Sequence, residues 1–166
     1  GGEPAPGTFM GKLREKTGLG FDLPTEAQWE YACMAGVTND FSNGESSAGE
    51  MAFDPAVRNV GWYEANSGGG PHEVGKLLPN KWGLFDMHGN VQEWCLDWFE
   101  NYDYQETWQD PAGPPPGVER ACRGGGYNSH PRHCCSWARW DRMRPEGGVP
   151  WIGFRAVATG ERGKDK

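Results

Sequence analysis

The sequence lacks a long hydrophobic run. A membrane-spanning helix needs about 18 or more consecutive apolar residues, and no segment of this 166-residue chain approaches that length. No signal peptide is recognisable either, and residues 1–7 read as a linker or a remnant of cloning. We therefore predict no membrane span. The sequence assigns no compartment, although a cell-surface or secreted location is compatible with it.

Basic residues are in the minority. The chain carries 16 Lys and Arg against 23 Asp and Glu, a net charge of −7, which argues against nucleic acid as a partner. The charge is uneven, because seven of the ten Arg lie between Glu119 and Arg155, together with only three acidic residues. Two interpretations stay open. These Arg are internal ion-pair partners of the acidic remainder, or they form a basic, aromatic ligand face.

Cysteine lacks an even count and a regular spacing. An odd count without a regular pattern is not a disulfide framework, so we expect free thiols or a special role for some of them. The five cysteines are Cys33, Cys95, Cys122, Cys134 and Cys135.

Glycine, proline and tryptophan are abundant. The 26 Gly and 13 Pro allow either disorder or an ordered fold rich in turns. The nine Trp favour the ordered fold, because disordered chains are poor in aromatic residues. The length fits one domain with its own core. We place that domain at residues 8–160 and a tail at 161–166.

Two segments predict α-helices. In "TFMGKLREKTG", Thr8 is placed to cap the start and Gly18 to end the helix. In "PTEAQWEYACMAG", Thr25 and Gln28 stand at capping-box spacing, and Gly36 suits the left-handed residue that follows a helix. The apolar residues that recur at helical intervals in this second segment are Ala27, Tyr31, Met34 and Ala35.

Three later segments predict short strands. "VQEWCLDWF" alternates, with Val91, Trp94 and Leu96 as candidate core residues, and "WIGFRAVA" alternates in the same way. "RACRGGGY" predicts a short strand that runs into a glycine turn. Residues 37–80, by contrast, have no sustained periodicity, and so long an irregular stretch is uncommon unless it is functional or tied down.

Four pieces in order carry a family resemblance. "LPTEAQWEYA", "NKWGLFDMHGNVQEW", "RGGGYNS" and "GFR" together resemble the sulfatase-modifying-factor domain, the family of the formylglycine-generating enzyme. The match spans residues 8–158, and relatives usually begin well before this chain does. The resemblance implies an α+β fold, a loop-rich variant of the C-type lectin fold with short twisted sheets and one or two helices.

The resemblance also implies structural calcium in the segment "DMHGNVQE". Calcium takes six to eight oxygen ligands, commonly a mixture of carboxylates, backbone carbonyls and water. The alternative is that Asp86 caps a turn and Glu93 pairs with an Arg. The ligands carried over from the family are Asp86, Gly89, Val91 and Glu93.

A second family calcium site maps less securely. Asn66 stands where relatives carry Asp, and the loss of a negative charge should lower calcium affinity. The residues carried over are Asn59, Val60, Asn66 and Gly68.

The family's oxidases use two thiols that bind copper(I). In "GGGYNSHPRHCCSW" the second thiol position falls on Cys134 and the first on Ser129. A hydroxyl is a poor ligand for soft copper(I), so copper is not expected here. Adjacent Cys135 does not replace the missing thiol, because successive side chains of an extended strand face opposite ways. A zinc site built from the cluster around His130 and His133 is an alternative, although its spacing is atypical.

Residues 127–151 correspond to the family's ligand-facing surface. Their Tyr, Trp, Arg and Met content is typical of recognition surfaces. The position before "IGFR" is similar to the variable region of diversity-generating retroelement proteins. We therefore predict a non-catalytic domain that binds a protein or glycan ligand, with a formylglycine-generating type of oxidase as the alternative. For Trp137 and Trp140, core and surface positions both stay open. The candidate surface residues are Tyr127, Asn128, Ser129, His130, Arg132, His133, Trp137, Trp140, Asp141, Met143 and Trp151.

Overall fold

A computed structural model describes residues 7–49, 52–100 and 117–159. Both predicted helices are present. Helix α1 spans Phe9–Thr17, with Thr8 as its N-cap and Gly18 as the left-handed residue at its end. Helix α2 spans Glu26–Met34 and begins with the predicted capping box. No helix within the described ranges is long and apolar enough to cross a bilayer. Residues 1–6 and the predicted tail lie outside these ranges.

The buried face of α2 differs from the predicted one. Ala27 and Tyr31 are exposed, Tyr31 to 68%, and the left-handed turn begins at Ala35 rather than at Gly36. The side chains that α2 buries are Glu26, Trp29 and Cys33. The spacing of apolar residues does not predict this face, because one of its three buried residues is a glutamate whose carboxylate is paired inside the fold.

Arginines from the second half of the chain provide the partners of this carboxylate. Arg123 is 1% exposed, and its guanidinium lies 3.6 Å from Glu26 and also bonds Glu30. Arg139 donates to both carboxylate oxygens of Glu26, at 2.6 and 2.9 Å. The ion-pair interpretation of the C-terminal Arg cluster is therefore confirmed for these residues. Two further pairs are Arg142–Glu119 and Arg155–Glu93.

Short strands form three small sheets. In chain order they are β1 Gly20–Asp22, β2 Gly61–Trp62, β3 His88–Gly89, β4 Gln92–Trp98, β5 Arg120–Arg123, β6 Asp141–Met143, β7 Ile152–Gly153 and β8 Val157–Thr159. The largest sheet has the order β6-β5-β4-β7, β1 pairs antiparallel with β8, and β2 pairs parallel with β3. The predicted strand in "WIGFRAVA" is split between two sheets.

Strand β4 buries the polar face of its alternation. The prediction that Val91, Trp94 and Leu96 are core residues is wrong, because all three are only half-buried. Buried Asp97 accepts a hydrogen bond from the amide of Glu26 at 2.7 Å, where the helix dipole favours a carboxylate. The buried positions of the segment are Gln92, Glu93, Cys95 and Asp97.

Two apolar clusters form the core. One joins α2 to the main sheet and contains Trp29, Cys33, Met87, Cys95 and Ala121. The other joins the aperiodic stretch to the candidate surface segment and contains Phe41, Ala56, Val57, Val60, Tyr63, Cys134, Cys135 and Ala138. The long irregular stretch is thus held by burial beneath the segment that follows β5.

Candidate functional site

The candidate surface segment, residues 127–151, leaves the main sheet through a glycine turn. Gly125 has φ +67°, and a Cβ there would lie 2.7 Å from Sγ of Cys134. Only glycine allows that approach without displacement. A 3-10 helix, Pro131–Cys134, follows, with His130 as its N-cap. The turn and the short helix therefore pack directly against each other.

Buried side chains form the inner layer of the segment. Ser129, although predicted as a surface residue, is 8% exposed, and its Oγ accepts a hydrogen bond from the amide of Gly126 at 2.9 Å. The amide and hydroxyl of Ser136 both donate to the carbonyl of Asp40. These contacts fix the segment to the loops beneath it. Its buried members are Ser129, Pro131, Cys134, Cys135, Ser136 and Ala138.

His88 anchors the segment from β3, a role that sequence reasoning missed. Its Nδ1 donates to the carbonyl of Cys134 at 2.8 Å, and its Nε2 accepts from the amide of Ser42 at 3.1 Å. This pattern requires the neutral imidazole, and burial lowers the pKa of His88 to about 4. The only signal in the sequence is a histidine inside a motif otherwise assigned to calcium.

Aromatic and basic side chains form the outer layer. Trp137 and Trp140 are 43% and 53% exposed, so both tryptophans lie on the surface. Trp137 is held there by a 2.6 Å hydrogen bond from its indole nitrogen to Asp40. Tyr127, Met143 and Trp151 are half-buried, whereas Asn128 is exposed. Met143 lies on β6, and the carbonyl of Trp151 accepts from the amide of Gln92.

A cleft opens in this outer layer. It has a volume of ≈ 260 Å³ and is lined by His130, Arg132, His133 and Trp140. The rings of His133 and Trp140 are offset and nearly parallel, with centroids 6.0 Å apart and planes at 23°. Oδ1 of Asp141 lies 3.8 Å from Nδ1 of His133, and burial raises the pKa of Asp141 although His133 lowers it. The cleft thus combines three nitrogen-bearing side chains with an indole wall.

The thiols of the segment are closed to solvent. Cys134 and Cys135 are both fully buried. Burial raises the pKa of Cys134 far above its usual range and that of Cys135 to about 12, so both are protonated thiols. Copper(I) prefers thiolate ligands, and the first thiol position of the family is held here by the hydroxyl of Ser129, so the expectation that copper does not bind stays a prediction. No group of three or more His, Cys, Asp or Glu side chains able to hold a metal occurs in the described ranges.

Three of the four residues predicted for the first calcium site come together, and Gly89 does not line their cavity. Asp86, Val91 and Glu93 line one cavity of ≈ 450 Å³, and two carboxylates with backbone oxygens suit this cation. Asp86 adopts φ +57° and accepts from the amide of Gly75. The negative charge of Glu93 already has partners in the fold, because Arg155 donates hydrogen bonds to both carboxylate oxygens and Trp29 donates one to one of them.

The second predicted calcium site fits less well. Its residues carry no carboxylate. The side-chain amide of Asn66 already accepts a hydrogen bond from the backbone amide of Tyr63 and donates one to the carbonyl of Gly61. The carbonyl of Asn59 accepts from the amide of Leu78. These contacts already use oxygens of Asn59 and Asn66 as hydrogen-bond acceptors. A calcium site at Asn59, Val60, Asn66 and Gly68 stays a prediction.

Comparison with known proteins decides the family. The sulfatase-modifying factor enzyme 1-like domain matches residues 7–159. The chain belongs to the sulfatase-modifying factor family. The formylglycine-generating enzyme of Bos taurus is 32% identical over 152 residues, which cover 86% of this chain and 40% of that protein. The chain therefore spans less than half the length of this relative.

Two solved structures support the same family and fold. Variable protein 1 of Treponema denticola has a TM-score of 0.72 at 37% identity, covering 83% of this chain and 47% of that one. PvdO from Pseudomonas aeruginosa has a TM-score of 0.76 at 26% identity, covering 90% and 56%. This member of the sulfatase-modifying factor family therefore has the loop-rich, α+β fold that its sequence predicts, of the C-type lectin-like kind.

Proposed function

We propose that this chain is a non-catalytic ligand-binding domain whose recognition surface is the outer layer of residues 127–151. The observation that carries the proposal is the state of Cys134. This thiol is fully buried, while the position of its family partner is held by Ser129, whose hydroxyl is engaged with the backbone. The same segment exposes Trp and Arg side chains and leaves its two His half-buried. It therefore has the chemistry of recognition rather than of thiol redox catalysis.

The oxidase alternative is tested by its product. The purified domain is loaded with copper(I) and incubated aerobically with a cysteine-containing peptide, and aldehyde is quantified by hydroxylamine capture and mass spectrometry. We expect no aldehyde and no tight copper binding. A Ser129→Cys variant tests whether one thiol is all that is missing. Aldehyde formed by the wild type and abolished by Cys134→Ser would establish the oxidase instead.

A surface that diversifies between copies is a specific form of this proposal. Variable protein 1 of Treponema denticola is 37% identical to the chain, and here exposed side chains alternate with a buried inner layer. We propose a variable protein of a diversity-generating retroelement, with a protein or glycan as its ligand. Sequencing the locus from sibling strains tests this. Amino-acid differences between strains should be absent from the buried Cys134, Cys135 and Ser136. They should be concentrated at the outer-layer positions Asn128, Arg132, His133, Trp137 and Trp140. Uniform drift across both layers would contradict it.

Calcium is proposed as a structural ion of this domain. The support is the shared cavity of Asp86 and Glu93, with Val91 in its wall and Gly89 two residues away. A bound cation would add to the compensation that Arg155 gives Glu93 and would hold the strained turn at Asp86. Its role would be to stabilise the scaffold rather than to contact the ligand.

A further inference from the structure

The charged groups at the cleft of His130, Arg132, His133 and Trp140 are already paired. Arg132 has an interaction partner of its own, and Oδ1 of Asp141 lies 3.8 Å from Nδ1 of His133. Among the described residues no acidic side chain lines the cleft itself. Taking a charged ligand group out of water is costly unless an opposite charge pairs with it. The ligand group that suits the cleft is therefore uncharged.

The two histidines have opposite hydrogen-bonding roles. Nδ1 of His130 accepts from the amide of Arg132 at 3.4 Å, so the neutral ring carries its proton on Nε2 and donates there. The carboxylate of Asp141 favours the tautomer of His133 that carries its proton on Nδ1, which leaves Nε2 of His133 as an acceptor. A hydroxyl group both donates and accepts, so hydroxyls satisfy both rings.

Trp140 supplies an apolar wall beside these polar groups. The residue is 53% exposed, and the ring of His133 lies nearly parallel to its indole, with planes at 23°. The face of an aromatic ring is negative and attracts the weakly positive C–H groups on one face of a pyranose. A sugar ring has such an apolar face and also carries hydroxyls at its edge. It therefore matches the indole and the histidines together.

A proline-rich peptide is the other uncharged ligand that commonly docks on aromatic side chains. Proline has no backbone N–H, so it would leave the acceptor of His133 unused. The cleft is also small, because its volume of ≈ 260 Å³ lies below the about 300 Å³ at which pockets for drug-sized ligands begin. This volume suits one ring rather than an extended segment, which favours the sugar.

The cleft stands on a fixed base. His88 donates a hydrogen bond at 2.8 Å to the carbonyl of Cys134, the last residue of the 3-10 helix. A preorganised site loses less conformational entropy when a ligand binds. We propose that the cleft binds one neutral pyranose ring of a glycan, stacked on Trp140, with the two histidines bonding its hydroxyls. This inference rests on the proposed recognition function.

The test uses a printed glycan array and then a titration. The folded domain is applied to neutral glycans that end in glucose, galactose, mannose or N-acetylglucosamine, beside sialylated and sulfated glycans. The neutral glycan that binds best is titrated as a free oligosaccharide, followed by NMR of the tryptophan indole N–H signals. We expect neutral glycans to bind and Trp140→Ala to weaken binding by about tenfold or more, because the stacking partner is lost.

Two further variants make this result specific. Trp140→Phe keeps an aromatic face and should weaken binding less than Trp140→Ala does. Trp82→Ala removes a similarly exposed tryptophan, at 49%, that does not line the cleft, and it should leave binding unchanged. Binding should also persist in chelator at a temperature at which the domain is folded, since the two histidines and the indole hold the sugar.

Several outcomes would overturn the inference. They are no binding of any neutral glycan, binding confined to sialylated or sulfated glycans, equal weakening by the two Trp→Ala variants, or loss of binding in chelator while the domain stays folded. Binding of a labelled polyproline peptide instead, abolished by Trp140→Ala, would replace the sugar by that peptide. All of these leave the aldehyde assay negative, so they are distinguishable from failure of the proposed function, which a positive aldehyde assay would show.

Discussion

At the residue scale, the chain places charge where periodicity expects apolar side chains. Glu93 is 6% exposed, yet it receives two hydrogen bonds from Arg155 and one from the indole of Trp29. A buried carboxylate is costly unless such partners compensate for its lost hydration. Arg155 therefore compensates the charge of buried Glu93, whether or not calcium also binds nearby.

Arg155→Met should lower the free energy of unfolding by about 3 kcal/mol, because it leaves Glu93 buried without the two hydrogen bonds from Arg155 and without its counter-charge. The measurement is urea unfolding in chelator, so that calcium does not compensate. Arg142→Met is the matched control, since its partner Glu119 is exposed, and it should cost less than about 1 kcal/mol. Similar losses in the two variants would show that Glu93 does not depend on Arg155.

At the element scale, the β2–β3 pair connects the aperiodic stretch to the family motif. Gly61 lies opposite His88, and Trp62 lies opposite Gly89. A Cβ on Gly89 would lie 2.0 Å from the carbonyl oxygen of Trp62, and its φ is +75°. This close backbone approach places His88 beneath the 3-10 helix, so the pair positions the recognition surface.

Gly89→Ala should destabilise the domain by about 3 kcal/mol or more, because a steric clash adds to left-handed strain. Gly70→Ala, where a Cβ meets open space, should change stability by less than about 1 kcal/mol. Thermal and urea unfolding of both variants give the comparison. An unchanged Gly89→Ala protein would mean that the two strands do not pack this closely in solution.

At the scale of the whole molecule, the part of the chain that the structure describes contains few long helices or strands. The longest described strand, β4, has 7 residues, and each of the two described α-helices has 9. Stability therefore depends on the two apolar clusters, on buried ion pairs and, by our proposal, on calcium. An ion that binds only the folded state adds stability through its binding free energy.

Chelation of calcium should lower the melting temperature by about 5–10 °C, the shift expected for a domain of this size when a saturating ligand is removed. Asp86→Ala should melt at the chelated temperature and should no longer respond to chelator. Glu73→Ala, which removes an exposed carboxylate, should keep the full response. If chelator leaves the wild-type melting curve unmoved, the calcium proposal is wrong.

Local sequence by itself determined the helices, their caps and the family. Thr8, Gly18 and the capping box from Thr25 to Gln28 act within a few residues of each other, so their effect can be read without the rest of the chain. The motifs that carry the family resemblance are similarly contiguous. The absence of a thiol at position 129 was also visible in the sequence alone.

Tertiary structure alone decided which faces are buried and which side chains meet. Glu26 is buried because Arg139, remote in the chain, donates a hydrogen bond to its carboxylate. Asp97 is buried because it accepts a hydrogen bond from the start of α2, which is equally remote in the chain. Trp137 lies at the surface because its indole bonds the side chain of Asp40, while neighbouring Ser136 bonds the carbonyl of the same residue. Such outcomes depend on long-range partners, and a charged residue has no fixed preference for core or surface until its partner is known.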